Sequence, residues 1–340
     1  MSSVHPPPMG PDEVANDATW LAQALDPSAG QVRFVAMDRE SYRAASFLDD
    51  RMLQQPVDAQ VVPWPPVEQA MNRDLRTDAR WIFHIGHVGS TLVSRLLGEL
   101  DGVLAVREPR LLRDVALSPP AVRERYLATV PKLMSRAFGD DELACVKATS
   151  FVSEIAPLLV PPGERALFMY ATPRNYVASI LAGENSVVEL RQLAPSRAQR
   201  LSKRVSAIGP AHNDAQLAAI AWACEMTALE AAADAMTDRH VEWADFDAML
   251  ADMPAELGRV ADFFGFDADQ SRLQSIAAGP LMTRYSKAME YDYSASLRGE
   301  LIAEATADNR ADIDGALAML AGAAEKSLIL ARALERAGED

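Results

Sequence analysis

The sequence predicts an α/β fold of three layers, αβα, with a mostly parallel central sheet of about five strands and a helical C-terminal extension. The first observation is that short apolar runs alternate with segments whose apolar residues recur at helical spacing. The second is a glycine-bearing turn between the first run and the helix that follows it. The third is composition, because 49% of the 340 residues are hydrophobic, which is enough for a sizeable buried core.

Five apolar runs are the predicted strands of the sheet. They are WIFHIG (81–86), VLAVRE (103–108), LACVKA (143–148), ALFMYA (166–171) and HVEWADF (240–246). The predicted helices lie at 89–100 and at about 119–138, 174–183, 213–237 and 247–264. Strands that are apolar throughout and separated by helices indicate a parallel sheet that is covered on both faces.

The sequence predicts a central α/β domain flanked by an N-terminal segment and a helical C-terminal extension. Residues 1–77 are predicted to be an N-terminal segment that is partly disordered and faces the substrate. An α/β domain at 78–296 and a C-terminal helical extension at 297–340 follow. The alanine-rich stretch 297–337 is expected to form one or two packing helices.

The N-terminal segment has weaker patterns of its own. A helix is predicted at about 13–25, a strand at 31–37 and a second helix at 40–53. The stretch VVPWPPVEQ (61–69) is predicted to be a linker, because its three prolines disfavour regular structure.

Charge narrows the range of functions. The chain has 33 Lys and Arg residues against 48 Asp and Glu residues, for a net charge of −15. A chain this acidic repels phosphates, so we expect no nucleic acid and no anionic membrane as partner. An anionic ligand must therefore be held by a local cluster of donors.

Cysteines and terminal patterns give further expectations. Cys145 and Cys224 lie in apolar runs without metal-ligand spacing, so both are expected to be reduced core residues. No clear metal-ligand cluster is present, and we expect no metal. The chain has no run of 18 apolar residues, and its N-terminus lacks the pattern of a signal peptide, so a cytoplasmic location is expected. No sequence pattern indicates an oligomeric state.

The segment WIFHIGHVGSTLVSRLL (81–97) carries the chemistry. A buried strand enters a turn that contains Gly86 and Gly89, and Ser90 and Thr91 open a helix. Glycines let backbone N–H groups converge on an anion, and a helix N-terminus adds partial positive charge. The segment therefore predicts a phosphate-binding loop, although a plain glycine turn capped by Ser90 is the alternative.

This loop differs from a Walker A loop. Only two residues separate its glycines, and no lysine precedes Ser90. Ordinary ATP hydrolysis or phosphoryl transfer is therefore disfavoured.

The loop resembles the 5′-phosphosulfate-binding loop of sulfotransferases, in which Ser-Gly-Thr-Thr follows a basic residue. The residues Val88, Gly89, Ser90 and Thr91 match that pattern, and His87 stands at the basic position. Further segments resemble the family in the same serial order: 106–109 (VREP), 145–149 (CVKAT), 170–179 (YATPRNYVAS), 241–246 (VEWADF), 254–266 and 283–287 (TRYSK). The resemblance covers about residues 78–290 and implies the P-loop NTPase-like sulfotransferase fold.

The resemblance implies that 3′-phosphoadenosine 5′-phosphosulfate is the co-substrate. Its 5′-phosphosulfate would be held by Gly86, His87, Val88, Gly89, Ser90 and Thr91. Its 3′-phosphate and adenosine side would be held by Arg174, Ser179, Arg284 and Lys287. Ala171 departs from the family, because an arginine is usual at its position.

Three residues are the catalytic candidates. Lys147 matches the lysine of the family's third strand, and His87 lies where the loop has its basic residue. Glu108 is the candidate base, with His84 and His87 as rivals. The structural alternatives are a surface ion pair of Glu108 with Arg107 or Arg110, a solvated strand end for Lys147 and a core role for His84. For Arg284 and Lys287 the alternative is a solvated loop face.

The implied activity is sulfuryl transfer to a hydroxyl or amine of a small-molecule, saccharide or peptide acceptor. Arg43, Phe47 and Arg51 of the N-terminal segment are candidates for contacting the acceptor. A catalytically weakened nucleotide-binding or regulatory module is the second interpretation. Another P-loop transferase, such as a small-molecule kinase, is the third.

Overall fold

Two sheets organise the protein in the computed structural model, which describes residues 9–283 and 294–338. Within these residues the strands are β1 (Trp20–Asp26), β2 (Gln31–Ala36), β3 (Ala59–Pro63), β4 (Arg80–His84), β5 (Val103–Arg107), β6 (Leu143–Lys147), β7 (Arg165–Tyr170) and β8 (His240–Asp245). The first three form an antiparallel sheet, in the order β1-β2-β3. The other five form the central sheet.

Helices account for most of the remaining chain. They are α1 (Pro11–Asn16), α2 (Arg39–Ala44), α3 (Trp64–Met71), α4 (Ser90–Leu97), α5 (Arg110–Leu117), α6 (Pro120–Leu127), α7 (Val130–Met134), α8 (Ala156–Leu159), α9 (Pro173–Leu181), α10 (Glu184–Leu201), α11 (Asp214–Ala235), α12 (Phe246–Ala251), α13 (Met253–Phe264), α14 (Gln270–Ala277), α15 (Ala295–Asp308), α16 (Arg310–Ala324) and α17 (Leu328–Arg336). None in the described part of the chain combines the length and apolar character that spanning a bilayer requires.

The central sheet confirms the predicted α/β class. Its strand order is β5-β6-β4-β7-β8, and every pairing is parallel. Successive side chains along β4 to β7 are almost all buried, and since they alternate in direction, both faces of the sheet are covered. Lys147, the last residue of β6, pairs with Ile82 of β4 and with Arg107 of β5. The residues that follow these strands therefore meet at one edge.

The two cysteines and most of helix α11 lie in the buried core. Cys145 and Cys224 are buried free thiols, and burial raises the pKa of each to about 12. Helix α11 is buried along most of its length, because its many alanines let α9, α10, α16 and α17 approach it closely.

The helix predicted at 13–25 is wrong. The structure has the short helix α1 and then the strand β1, in which six of seven residues are buried. The alanines and leucines of this stretch favour a helix locally, but pairing with β2 overrides that preference. Of the segment 1–77, which was expected to be partly disordered, residues 9–77 contain the first three strands and the first three helices, and residues 1–8 lie outside the described residues.

The linker predicted at 61–69 is also wrong. Pro63 ends β3, an edge strand, where a missing N–H is tolerated. Pro65 and Pro66 lie in the first turn of α3, where backbone N–H groups have no partner within the helix. Trp64 of this helix is fully buried against Tyr126.

Other predicted helices differ in number and extent. The stretch 119–138 contains α6 and α7, the stretch 247–264 contains α12 and α13, and 297–337 covers most of three helices. The predicted second helix at 40–53 is reduced to α2 and a 3₁₀ turn at Asp50–Gln54. Helix α10 was not predicted, because its polar sequence and internal proline give little apolar periodicity.

Candidate active site

A cavity of about 700 Å³ lies where the carboxyl ends of the central strands meet. This volume is in the range of sites for small molecules and cofactors. One part of its wall is the loop 85–89 with the start of α4, and other parts come from α9, α10 and α15. The segment that carries Phe47 and Arg51, together with α5, closes the remaining side. The N-terminal segment therefore contributes to the cavity, although Arg43 lies at a separate small one.

Positive side chains outnumber negative ones around this cavity. Among the described residues, its wall carries six arginines and lysines but three carboxylates. The cations are Arg51, Arg110, Arg113, Lys147, Arg197 and Arg298, and the acids are Asp49, Glu108 and Glu189. A chain with a net charge of −15 thus carries a local cationic surface that suits an anionic ligand.

The loop between β4 and α4 has a left-handed backbone at three positions. The φ angles are +82° at Gly86, +55° at His87 and +60° at Gly89. A non-glycine residue with positive φ, such as His87, is strained, and such strain is typical of functional loops. The hydroxyl residues Ser90 and Thr91 follow at the first turn of α4, where backbone N–H groups have no partner within the helix.

One backbone amide of the predicted phosphate-binding loop already has a hydrogen-bond partner within the protein. The Gly86 N–H donates a hydrogen bond to His84 Nδ1 at 2.9 Å, so it is not available to a ligand. Val88 is fully buried at the wall of the cavity. The amides of 87–91 and the hydroxyls of Ser90 and Thr91 are therefore the candidate anion-binding groups of the loop.

Gly89 is expected to be irreplaceable by alanine. A Cβ at Gly89 would lie 1.9 Å from the nearest ring atom of Phe246, and the left-handed backbone would strain any side chain. We expect Gly89→Ala to lower the free energy of unfolding by about 2–4 kcal/mol, measured by urea denaturation. The matched control is Gly139→Ala, because Gly139 is exposed and no atom lies near its Cβ position. Equal stability of the two variants would contradict the packing described for Phe246.

Glu108 and Lys147 form a buried ion pair at the centre of the cavity wall. Lys147 Nζ donates to Glu108 Oε1, and only 1% of the lysine side chain is exposed. The other oxygen, Glu108 Oε2, lies 3.4 Å from Thr149 Oγ1 and 3.6 Å from Arg51 Nη2. Glu108 has a φ of +54°, a strained backbone that turns its carboxylate toward the cavity. The two predicted catalytic residues are thus together, but they contact each other.

Neither arginine named as an alternative partner of Glu108 contacts it. Arg107 is buried and donates to backbone carbonyls of residues 42–45. Burial, together with a smaller contribution from the nearby Arg95, lowers the pKa of Arg107 to about 9. Arg110 pairs with Asp50 and with Asp114.

Arg51 shapes the side of the cavity opposite the loop. Its guanidinium lies 3.3 Å from the Phe47 ring centroid, and two nitrogens bind Asp49 at 2.8 and 2.7 Å. A planar cation is therefore held in one orientation beside Glu108 Oε2.

The residues predicted for the 3′-phosphate are separated by the structure. Ser179 lines the cavity, and its hydroxyl donates to the Tyr176 carbonyl at 2.8 Å. Arg174 does not line the cavity, because its guanidinium pairs with Asp314 of α16 at 3.0 Å. Arg284 and Lys287 lie outside the described residues. Ala171 is buried, and its carbonyl accepts a hydrogen bond from Trp222.

Two arginines that the sequence did not single out face the cavity instead. Arg197 of α10 is 6% exposed and lies 3.5 Å from Glu225, a carboxylate that Arg200 already binds through two nitrogens. Arg298 of α15 pairs with Asp247 through Nη1 at 3.1 Å. Its Nη2 is buried and has no hydrogen-bond partner among the described residues. No sequence motif marks either residue, because each reaches the cavity only through helix packing.

Fold and site together define an α/β protein in which a glycine-bearing strand–loop–helix junction and a buried carboxylate–lysine pair line one cationic cavity. The described residues contain no group of three or more His, Cys, Asp or Glu side chains that could hold a metal ion. No family model matches the chain, and no curated protein matches it.

Solved structures provide distant similarities. The chain is similar to the sulfotransferase domain from the curacin biosynthetic pathway, with 12% identity and a TM-score of 0.40, over 69% of this chain and 98% of that one. The sulfotransferase domain of the Synechococcus PCC 7002 olefin synthase has 13% identity and a TM-score of 0.40, over 79% and 97%. Retinol dehydratase, in complex with androsterone and the inactive cofactor PAP, has 15% identity and a TM-score of 0.31, over 77% and 89%. Similarity this distant does not bear on activity, which has to be argued from the cavity.

Proposed function

We propose that the protein is a sulfotransferase that moves a sulfuryl group from 3′-phosphoadenosine 5′-phosphosulfate to a hydroxyl or amine of a small-molecule, saccharide or peptide acceptor. One observation carries the proposal: residues 87–91, with the left-handed backbone at His87 and Gly89, and Glu108 line the same cationic cavity. The loop supplies anion binding without a Walker lysine, and the carboxylate supplies a base.

The donor nucleotide fits the groups present. Backbone N–H groups and the hydroxyls of Ser90 and Thr91 would hold the 5′-phosphosulfate. Ser179, Arg197 and Arg298 would hold the 3′-phosphate, and the buried Nη2 of Arg298, which has no partner among the described residues, supports this role. Arg298 thereby supplies the charge that Ala171 lacks.

The chemistry follows from the two oxygens of Glu108. Lys147 donates to Oε1 and orients the carboxylate. Oε2 would take the proton of the acceptor as the acceptor oxygen or nitrogen forms its bond to sulfur. The bond from sulfur to the bridging phosphate oxygen breaks, and adenosine 3′,5′-bisphosphate leaves. Loop amides and the start of α4 stabilise the charge that develops on the leaving group.

Calorimetric titration tests the proposal directly. We expect adenosine 3′,5′-bisphosphate to bind without a metal, and magnesium-ATP to bind more weakly. Tighter binding and consumption of magnesium-ATP would favour a small-molecule kinase. Absence of binding to adenosine 3′,5′-bisphosphate would remove the proposal.

Substitution tests whether Arg298, which lines the cavity, or Arg174, which the sequence motif indicates, binds the 3′-phosphate. Arg298→Met keeps the aliphatic part of the side chain and removes a charge-assisted donor, a contribution of roughly 1.5–3 kcal/mol. We therefore expect affinity for adenosine 3′,5′-bisphosphate to fall about 10–150-fold. Affinity for adenosine 5′-monophosphate, which lacks the 3′-phosphate, should change little. Calorimetry with both nucleotides measures the difference.

Arg174→Met is the matched control for this experiment. Arg174 pairs with Asp314 on the surface, away from the cavity, so its loss should leave both affinities unchanged. A large loss with Arg174→Met and none with Arg298→Met would return the 3′-phosphate to the residue that the sequence motif indicates.

A nucleotide-binding module without turnover is the second candidate function. The observation that favours it is that Ala171 and Arg174 contribute no charge to the cavity. Tight binding of adenosine 3′,5′-bisphosphate without transfer to any of a panel of phenols, sugars and amines would support the module.

A further inference from the structure

His84 lies between the anion-binding loop and the Glu108 carboxylate. It is the last residue of β4 and is 6% exposed. Its Nδ1 accepts the hydrogen bond from Gly86 N–H at 2.9 Å. Its Nε2 lies 3.8 Å from Glu108 Oε1, the oxygen that Lys147 also contacts.

The hydrogen bond at Nδ1 favours one tautomer of the neutral ring. A nitrogen that accepts a hydrogen bond carries no proton, so the neutral imidazole has its proton on Nε2. A doubly protonated ring would set an N–H donor against the Gly86 N–H. His84 is therefore a poor candidate for the catalytic base, because Nδ1 is engaged and Nε2 has no free lone pair.

We propose that His84 is a positioning residue that couples the anion-binding loop to Glu108. Its Nδ1 holds the Gly86 amide at the point where the chain leaves β4. Its Nε2–H lies 3.8 Å from Glu108 Oε1, beside Lys147 Nζ, so its dipole adds to the positive charge that holds that oxygen in place. Oε2, which has Thr149 Oγ1 at 3.4 Å, is then the oxygen that takes the acceptor proton. This role rests on the proposed sulfotransferase function.

The tautomer can be measured without any ligand. Protein labelled with ¹⁵N-histidine gives imidazole nitrogen resonances whose shifts distinguish the two neutral tautomers and the cation. The resonance absent from His84→Asn identifies His84 among the five histidines of the chain. We expect the neutral Nε2–H tautomer at neutral pH. The Nδ1–H tautomer or the cation would overturn the inference.

Two substitutions separate the two contacts of the ring. In His84→Leu both contacts are lost, and loss of one hydrogen bond should weaken binding of adenosine 3′,5′-bisphosphate about 3–10-fold. In His84→Asn the side-chain oxygen can still accept from Gly86 N–H, so affinity should recover. Turnover should stay low in both variants, because the asparagine does not reach Glu108.

The controls distinguish this inference from the proposed function. The exposed His212 is the matched control, and His212→Leu should leave binding and turnover unchanged. Failure of the wild-type protein to bind adenosine 3′,5′-bisphosphate overturns the proposed function, whatever the tautomer. Wild-type binding together with equal affinity in His84→Leu, or full turnover in His84→Asn, overturns the role of His84 alone.

Discussion

Replacing Glu108 with glutamine is expected to lower the rate of sulfuryl transfer about 10²–10⁴-fold, the usual contribution of a general base. The carboxamide keeps the size of the side chain and an oxygen that accepts from Lys147. It cannot take the proton of the acceptor at the position of Oε2. Affinity for adenosine 3′,5′-bisphosphate should not fall, because the substitution removes a negative charge from the cavity and leaves the loop amides intact.

The measurement is transfer of labelled sulfuryl groups to a panel of phenols, sugars and amines, alongside calorimetry. Glu124→Gln is the control, because Glu124 is an exposed carboxylate on α6 that does not line the cavity. Equal turnover in Glu108→Gln and the wild-type protein would exclude Glu108 as the base.

Replacing Lys147 with methionine is expected to lower the free energy of unfolding by about 3–5 kcal/mol. The substitution leaves the Glu108 carboxylate in a buried position without the ammonium group that contacts Oε1. Arg51 lies 3.6 Å from Oε2, but about half of its side chain is exposed, so solvent screens its charge. Urea denaturation of the variant and the wild-type protein measures the loss.

A double-mutant cycle shows whether the loss belongs to the ion pair. In the double variant Lys147→Met and Glu108→Gln, neither ion remains buried, so most of the stability should return. Additive effects of the two substitutions would mean that the pair contributes little and that Lys147 acts through packing alone.

The strands of the central sheet could be predicted from the sequence because each is indicated by a few consecutive residues. Each of β4 to β7 is a short and mostly apolar run, as expected of parallel strands whose two faces are covered. The convergence of Glu108 and Lys147 also follows from topology, since carboxyl ends of parallel strands meet at one edge. The loop at 87–91 is recognisable because glycine and hydroxyl residues follow a strand directly.

The secondary structure of the N-terminal part was harder to predict, because its local residue preferences differ from the structure that tertiary contacts impose. The alanines of β1 favour a helix, yet the pairing of β1 with β2 decides its structure. The prolines at 63, 65 and 66 suggest a linker, yet each occupies a position where an N–H is not needed. Such positions are defined by strand neighbours and helix boundaries, which a periodicity pattern does not contain.

By itself, the sequence determined the α/β class, the order of the central elements and the loop at 87–91. Only the tertiary structure decided which cations line the cavity, which loop amide already has a hydrogen-bond partner and which oxygen of Glu108 is held by Lys147. Arg174 lies within a recognisable motif but pairs with Asp314, whereas Arg197 and Arg298 lie on helices without motifs and line the cavity. The physical reason is the distance along the chain over which each feature is determined. Strands and helices are indicated by residues that are close together in the sequence, whereas the partner of a long charged side chain depends on how helices distant in sequence pack.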